Sequence, residues 1–269
     1  MVARRDVAAT LAARRQLTPS SYALELLTEP PLPEPRPGQF VMLAAAGGES
    51  PFWRRAFSVA GYRRRGGSAV VELMIRVVGA GTALWRELPP GSRGRLLGPL
   101  GNGFGPVAEG ARLALVAGGI GLPPVLFHLE RLAAAPCRAD LIVGAATARE
   151  LLEPERCARA AAAAGGELVV TTDDGTAGRR GLVTEALAER LAEGRYDGLR
   201  ACGPLPMLRE VARLAAEHGV PAELALEERM ACGVGVCLGC VVPGSDGSNL
   251  RVCREGPVLP AEAVDWGAL

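Results

Sequence analysis

The sequence has almost no excess of either charge. Thirty Lys plus Arg residues stand against 29 Asp plus Glu, a net charge of +1. That excludes a strongly basic nucleic-acid footprint and a polybasic membrane anchor. A long apolar run is also missing. The longest uncharged apolar stretch, Leu113 to Phe127, is interrupted by Gly118, Gly119, Gly121, Pro123 and Pro124, too short and too broken to span a bilayer. The opening segment carries Arg4, Arg5, Arg14 and Arg15 without the apolar centre of a signal peptide. A soluble, cytoplasmic protein with no nucleic-acid or membrane partner is expected. Internal repeats are lacking, and the Ala160–Ala164 run reads simply as helix. Histidine occurs only at His128 and His218, within or near the end of expected helices, so no general base for carbon-acid chemistry is in view. Cysteines number seven and are unevenly spread. That argues against a secreted disulfide framework and for reduced thiols, some of them metal ligands, in a reducing cytosol.

What is present divides the chain into three textures. Residues 1–107 hold short apolar runs separated by Gly and Pro, among them "YALELL", "FVMLAAA", "RRAFSVAGY" and "AVVELMIRVV". They imply a small antiparallel β-barrel. Residues 108–222 alternate buried strands ("RLALVAGG", "ADLIVGAA", "ELVVTT", "GLRACGP") with helices such as "PPVLFHLERLAAA" and "PMLREVARLAAEHG". That is the signature of a doubly wound α/β domain with a parallel sheet. Residues 223–269 are rich in Gly and Cys and weakly periodic after a last strand, "AELALEE". Something other than a large apolar core must organise them.

The third texture carries Cys232, Cys237, Cys240 and Cys253 in the spacing C-x4-C-x2-C-x12-C. Three thiols on one tight loop and a fourth from a neighbouring segment suit a [2Fe–2S] centre, in which each of two irons needs two thiolates. Gly233, Gly235 and Gly239 let the backbone curl around such a cluster and point N–H groups at its sulfurs. Structural zinc is the alternative, although zinc sites usually pair their cysteines in two comparable arms. Cys137 and Cys157 read as ordinary buried or half-buried thiols. Cys202 lies at the C-terminal end of an expected parallel strand, the edge where ligands bind such sheets.

Two motifs in the barrel texture suit a flavin dinucleotide. Arg55-Ala56-Phe57-Ser58 offers a guanidinium for a diphosphate, an aromatic ring for a flavin face and a hydroxyl for a flavin edge. Simple alternation would put Arg55 and Phe57 on one face and Ser58 on the other, unless a bend intervenes. Downstream, Gly79 and Gly81 turn the chain, and Thr82 caps a short helix whose free N–H groups attract phosphate. In the second texture, Gly118-Gly119-Ile120-Gly121 occupies the first strand-to-helix crossing, where a dinucleotide pyrophosphate lies. It is not G-x-G-x-x-G. Asp173 or Asp174 in "TTDDGT" could accept from ribose hydroxyls and repel a 2′-phosphate, favouring NAD over NADP; an Asp-Gly turn explains them equally well.

Taken in order, "RAFS", "GAGT", "GGIG" and "CGPLPM" make the chain resemble the ferredoxin–NADP reductase superfamily over roughly residues 8–225. The block "EERMACGVGVCLGC…VCREGPV" is further similar to the iron–sulfur electron-transfer subunits of NAD-dependent (type B) dihydroorotate dehydrogenases of pyrimidine biosynthesis. The resemblance implies FAD held by Arg55, Phe57, Ser58, Gly79, Gly81 and Thr82, and NAD docked by Gly119, Gly121, Asp173, Cys202, Gly203 and Pro204. Cys202 would be a candidate side chain near the nicotinamide. It further implies a [2Fe–2S] cluster on Cys232, Cys237, Cys240 and Cys253, and an FMN-containing catalytic partner in a heterotetramer of two plus two chains. Subunits of ferredoxin, sulfide or sulfite oxidoreductases are the alternative within electron transfer, although several carry Asp where this chain has Cys232. A zinc-holding module with no catalysis is the alternative outside it. Many reductases of the superfamily end in an aromatic residue stacked on the flavin. This chain instead runs on into the cysteine block and ends "DWGAL", with Trp266 a poor substitute.

Overall fold

The computed structural model describes residues 4–45, 53–194 and 196–269. The first six strands are β1 (Arg5–Gln16), β2 (Ser21–Thr28), β3 (Phe40–Ala45), β4 (Arg55–Arg65), β5 (Ser68–Arg76) and β6 (Arg93–Leu100). They close an antiparallel barrel in the order β1-β2-β5-β4-β3-β6. Alternate side chains fill it: Leu11, Tyr22, Leu24, Leu26, Leu43, Leu73 and Ile75 are buried, as a period-two pattern requires. β1 and β6 are the strands the sequence does not single out. The inward row of β1 begins with the small series Val7, Ala9, Leu11, and Gly and Pro interrupt the apolar run of β6. The short helix α1 (Ala80–Glu87) joins β5 to β6 and buries Trp85.

The second unit follows as β7 (Arg112–Gly118), α2 (Leu122–Leu132), β8 (Arg138–Ala145), α3 (Pro154–Ala163), β9 (Leu168–Thr172), β10 (Arg179–Arg180), α4 (Val183–Ala192), β11 (Gly198–Cys202), α5 (Leu205–His218) and β12 (Ala222–Ala225). The strands pair in parallel in the order β10-β9-β8-β7-β11-β12. Chain order reverses between β7 and β11, which makes their C-terminal ends the switch point where such sheets bind ligands. α5 ends at Gly219, whose φ of +64° is a left-handed C-cap that glycine adopts without strain.

After β12 come β13 (Val241–Pro243), β14 (Asn249–Arg251) and β15 (Val258–Pro260). The first two form a hairpin, and β15 adds antiparallel to β12 at the edge of the large sheet. The sequence gives no sign of that last pairing. The tail is thus anchored by sheet hydrogen bonds and by Asn102. The Asn102 side chain donates to Glu255 O at 2.8 Å and Val258 O at 2.7 Å, and accepts from Val258 N at 3.0 Å. A second polar seam ties the barrel to the α/β unit. Arg156 of α3 donates to both carboxylate oxygens of the buried Glu72 in β5 at 3.0 Å, and to Glu130 of α2 at 2.6 Å.

Candidate functional site

The four cysteines of the tail come together as two pairs. The N–H groups of Val234 and Cys237 donate to the sulfur of Cys232 at 3.5 Å each, and the Cys237 thiol interacts with Cys232. Cys240 and Cys253 interact side chain to side chain, both buried. Among the described residues no group of three or more His, Cys, Asp or Glu side chains is placed to hold a metal ion. A two-plus-two donor set is what two bridged irons require. Burial works against ionising Cys232, but backbone N–H groups from Val234, Cys237 and Val236 outweigh it and bring this thiol down to about 6. Cys253 goes the other way: burial and the adjoining Cys240 push it up to about 12. The seat thus holds one thiol favoured as thiolate, Cys232, and one held protonated, Cys253.

Glycine makes the seat possible. Gly233 and Gly235 have φ of +68° and +84°. A Cβ on Gly233 would stand 2.8 Å from Met42 of β3, so the loop rests directly on the barrel wall. Val236, Cys237, Leu238 and Gly239 face outward, with Val236 79% and Leu238 61% exposed.

Beside this seat the barrel wall opens. Residues Arg55–Ser58 of β4 pair with β3 only, and β4 joins β5 from Val59 onward, with a bulge before Gly61. Met74–Arg76 of β5 pair with β2 only. The two strands splay, and a cavity of about 310 Å³ lies in the split, lined by Phe57, Ser58, Ile75, Thr82, Leu226 and Glu227 among others. An adjoining groove of about 570 Å³ takes in Arg55, Phe57, Thr82, Met230 and Gly239. Phe57 and Ser58 thus reach the same cavity, against simple alternation, because the partner switch bends β4 here. Thr82 Oγ1 accepts from Val78 N at 2.9 Å and Gly79 N at 3.1 Å and donates to Gly79 O at 2.9 Å, fixing the turn into α1. A Cβ on Gly81 would stand 3.0 Å from Arg55 Nε. The bare glycine lets the guanidinium lie against the first turn of α1, an arrangement suited to a diphosphate.

The tail closes this groove. Leu226, Glu227, Glu228, Met230 and Pro257 line it from the far side, and none of them is marked by a sequence motif. The hint is their position, directly after the last parallel strand. Glu227 is open to solvent at the mouth yet flanked by protein, and that confinement raises its carboxyl above the usual range. Trp266 lies elsewhere: its indole donates to Ala261 O at 2.7 Å in a separate cavity against α5.

A third cavity, of about 710 Å³, sits over the C-terminal ends of the parallel strands. Gly118, Gly119, Ala145, Asp173, Pro204 and Met207 line it. Asp173 faces the cavity, whereas the Asp174 carboxylate accepts from Thr176 N at 3.0 Å and Thr176 Oγ1 at 2.7 Å within its own turn. Gly121, Cys202 and Gly203 are placed beneath the cavity rather than along it. A Cβ on Gly121 would stand 2.3 Å from Cys202 O, so this glycine lets the start of α2 touch the end of β11. Cys202 is buried, which pushes its thiol well up.

Cys157 is buried and pushed up to about 12, while Cys137 is half-buried and raised. Burial and the nearby Arg200 lower His128 to about 3, and its ring packs against Phe104 at 4.9 Å. His218 ends α5.

A family model described as the iron–sulfur cluster binding domain of dihydroorotate dehydrogenase B matches residues 227–265, and one described as the oxidoreductase NAD-binding domain matches 115–213. The dihydroorotate dehydrogenase B (NAD(+)) electron transfer subunit of Desulforamulus reducens is 39% identical over 86% of this chain and 87% of its own length. The subunit of the same name from Bacillus caldolyticus is 38% identical over 95% of this chain and 96% of its own. Among solved structures, an NADH-dependent reduced ferredoxin–NADP oxidoreductase superposes with a TM-score of 0.81 at 27% identity, covering 96% of this chain and 90% of that one. A flavohemoglobin from Malassezia yamatoensis with bound FAD and heme shares the fold, with a TM-score of 0.69 at 18% identity over 82% of this chain and 58% of that one.

Proposed function

This chain belongs to the family of dihydroorotate dehydrogenase B electron-transfer subunits, and on that premise we propose that it carries electrons from a dihydroorotate-oxidising subunit to NAD. The observation that carries the reading is the adjacency of two seats. A two-plus-two set of thiols rests on the barrel wall through Gly233 and Met42, and Gly239 and Met230 of the same loop region border the groove formed by Arg55, Phe57 and Thr82. When bound, the [2Fe–2S] cluster moves single electrons, FAD exchanges single electrons for pairs, and NAD accepts hydride.

The residues of the chain supply position. Cys232, Cys237, Cys240 and Cys253 hold the irons. Arg55 and the first turn of α1, shaped by Gly79, Gly81 and Thr82, take the FAD diphosphate, and Phe57 and Ser58 meet the flavin in the split between β4 and β5. Leu226, Met230 and Pro257 exclude water from the remaining side, the place an end-of-chain aromatic takes in other reductases. Gly119, Asp173 and Pro204 receive the dinucleotide, with Gly121, Cys202 and Gly203 forming the packed floor below. A division near residues 107 and 222 separates the three tasks. The unpaired carboxylate of Asp173 supports NAD over NADP, because a 2′-phosphate beside it would be repelled.

The partner in this proposal is an FMN-containing catalytic subunit, two copies with two of this chain. Its docking place is the outer rim of the cluster loop. Leu238 has a φ of +58°, a left-handed conformation that costs a branched side chain roughly 1–2 kcal/mol. Glycine would sit there without strain, so the exposed Leu238 side chain, next to Val236 and the exposed Cys237, supports a contact role. Cytoplasmic placement belongs to the same proposal, since the thiols must stay reduced. No helix among the described residues is long and apolar enough to cross a membrane. The test is co-expression with the candidate catalytic subunit. The complex is expected to form orotate with NAD⁺ reduction, and the isolated chain to oxidise NADH with artificial acceptors only. Orotate production by the isolated chain, or an isolated catalytic subunit that reduces NAD⁺ unaided, would refute it.

A further inference from the structure

Arg251 ends β14 shortly before Cys253, and its side chain turns back to the cluster loop. Nη1 donates to Gly235 O at 3.1 Å. The other edge of the guanidinium grips Glu255: Nε donates to Oε2 at 3.0 Å and Nη2 to Oε1 at 2.5 Å. Glu255 Oε2 also accepts from Arg251 N at 2.8 Å, and Glu255 N donates to Arg251 O at 2.9 Å. The ion pair thus braces the turn that carries Cys253. Asn102 holds the Glu255 carbonyl from the barrel side at 2.8 Å. One line of contacts runs from the barrel through Glu255 and Arg251 to the loop that carries Cys232 and Cys237. The inner pair has a backbone tie of its own, since Val252 N donates to Cys240 O at 2.9 Å. Gly235 is held on both sides: its N–H interacts with the Cys253 sulfur, and its carbonyl takes the Arg251 proton.

We propose that Arg251, oriented by Glu255, is a positioning residue that fixes the Cys232–Cys237 loop against the Cys240–Cys253 pair and favours the reduced form of the centre held between them. It rests on the reading of the four thiols as a [2Fe–2S] seat. A centre on four thiolates is an anion, and the single electron it takes up, with no bond made or broken, adds to that charge. A cation fixed beside it stabilises the reduced form more than the oxidised one. The ion pair does not cancel this effect, because it has a direction. Its fork faces Glu255, and its remaining nitrogen reaches the cluster loop. The Arg251 side chain is 28% exposed, so solvent screens it less than a free surface arginine. A guanidinium keeps its charge at every working pH and serves a carboxylate and a carbonyl at once, which an ammonium does less well.

The test uses the full chain in complex with its catalytic partner, carrying Arg251→Gln or Arg251→Lys. Arg254→Gln serves as the control, because Arg254 is exposed and its stem packs over the same loop, where a Cβ on Gly235 would stand 2.8 Å from its Cδ. Iron content is measured by metal analysis, and the midpoint potential by a dithionite titration followed by electron paramagnetic resonance. Arg251→Gln is expected to retain iron and to lower the ratio of reduced to oxidised centre about tenfold at a fixed potential, a midpoint about 59 mV lower for one electron. Arg251→Lys regains more than half of that shift, and Arg254→Gln shows less than half of it. An unchanged midpoint in an iron-loaded Arg251→Gln overturns the proposal. An equal shift in Arg254→Gln overturns it too, because net charge alone would then explain both. Where Arg251→Gln loses iron, Glu255→Gln decides, since it keeps the cation and removes the carboxylate that offsets it. Its midpoint is expected to rise, and a fall or no change overturns the proposal. Zinc in place of iron in the unmodified complex overturns the reading of the seat, and the proposal with it.

Discussion

On the proposed reading the cluster seat and the nucleotide cavity are the two ends of one electron path, and they are built in opposite ways. The seat comes from one short piece of chain. Cys232, Cys237, Cys240 and Cys253 span 22 positions of a single segment, and the glycines between them answer local backbone demands. The cavity is assembled from the ends of β7, β8, β9 and β11, the starts of α4 and α5, and one arginine from the barrel. A local seat in which four donors share one ligand should fail as a unit. A distributed cavity should lose affinity by degrees, because each lining group contributes separately.

The largest expected effect is at the seat. Cys253→Ser removes a buried donor from the inner pair. We expect loss of the cluster and a fall of roughly two orders of magnitude in electron delivery from the catalytic subunit. NADH oxidation by the FAD of the same variant, measured with an artificial acceptor, should be retained. Visible absorbance and iron analysis separate the two. Loss of both activities would show that the seat also supports the barrel and would erase the contrast.

Second is Leu238→Gly, which trims the rim without touching a donor. Removing the backbone strain should leave cluster content intact and thermal stability equal or higher, while affinity for the catalytic subunit drops about tenfold. An unchanged affinity by calorimetry would show that the strained Leu238 serves something else.

Third is Asp173→Asn in the cavity. Its graded character predicts a gain of about fivefold in NADP⁺ relative to NAD⁺, read from the two dissociation constants. A complete loss of NAD⁺ binding would mean that the cavity too fails as a unit.

The smallest functional effect is reserved for His128, a buried residue of α2 that lines neither the flavin groove nor the nucleotide cavity. Burial first, and Arg200 second, hold it neutral in the fold down to about 3, against about 6.5 when unfolded. The unfolded chain therefore binds the extra proton between those values. Stability contributed by this group is complete above about pH 6.5 and is lost progressively as pH falls toward 3. His128→Phe, which can keep the stack on Phe104, should flatten the decline of Tm between pH 6 and pH 4 while leaving electron transfer at neutral pH unchanged. An identical acid limb in both proteins would assign it to other groups.

The same contrast governs what could be read from sequence. The cysteine spacing is legible because the cluster imposes its geometry on consecutive residues. The strand-and-helix alternation of 112–225 is legible because strands buried on both faces are continuous apolar runs. The flavin groove was only half visible. Arg55, Phe57, Ser58 and Thr82 stand in recognisable motifs, but the opening itself depends on β4 changing partners at Val59, a matter of register that leaves no local mark. Leu226, Met230 and Pro257 reach the groove only because β15 adds to β12, a pairing of three residues with no periodicity to announce it. Gly121 illustrates the reverse: its motif reads as phosphate-binding, whereas its bare Cα meets the Cys202 carbonyl. Of Asp173 and Asp174, equal candidates in sequence, the structure turns one into the cavity and folds the other into its own turn.

The most direct measurement is electron paramagnetic resonance on the anaerobically prepared chain, titrated with NADH. The account predicts a signal of one reduced [2Fe–2S] centre per chain that grows as NADH is added and vanishes in Cys253→Ser. Stoichiometric zinc without that signal, or a centre that NADH cannot reduce while FAD is present, would contradict it.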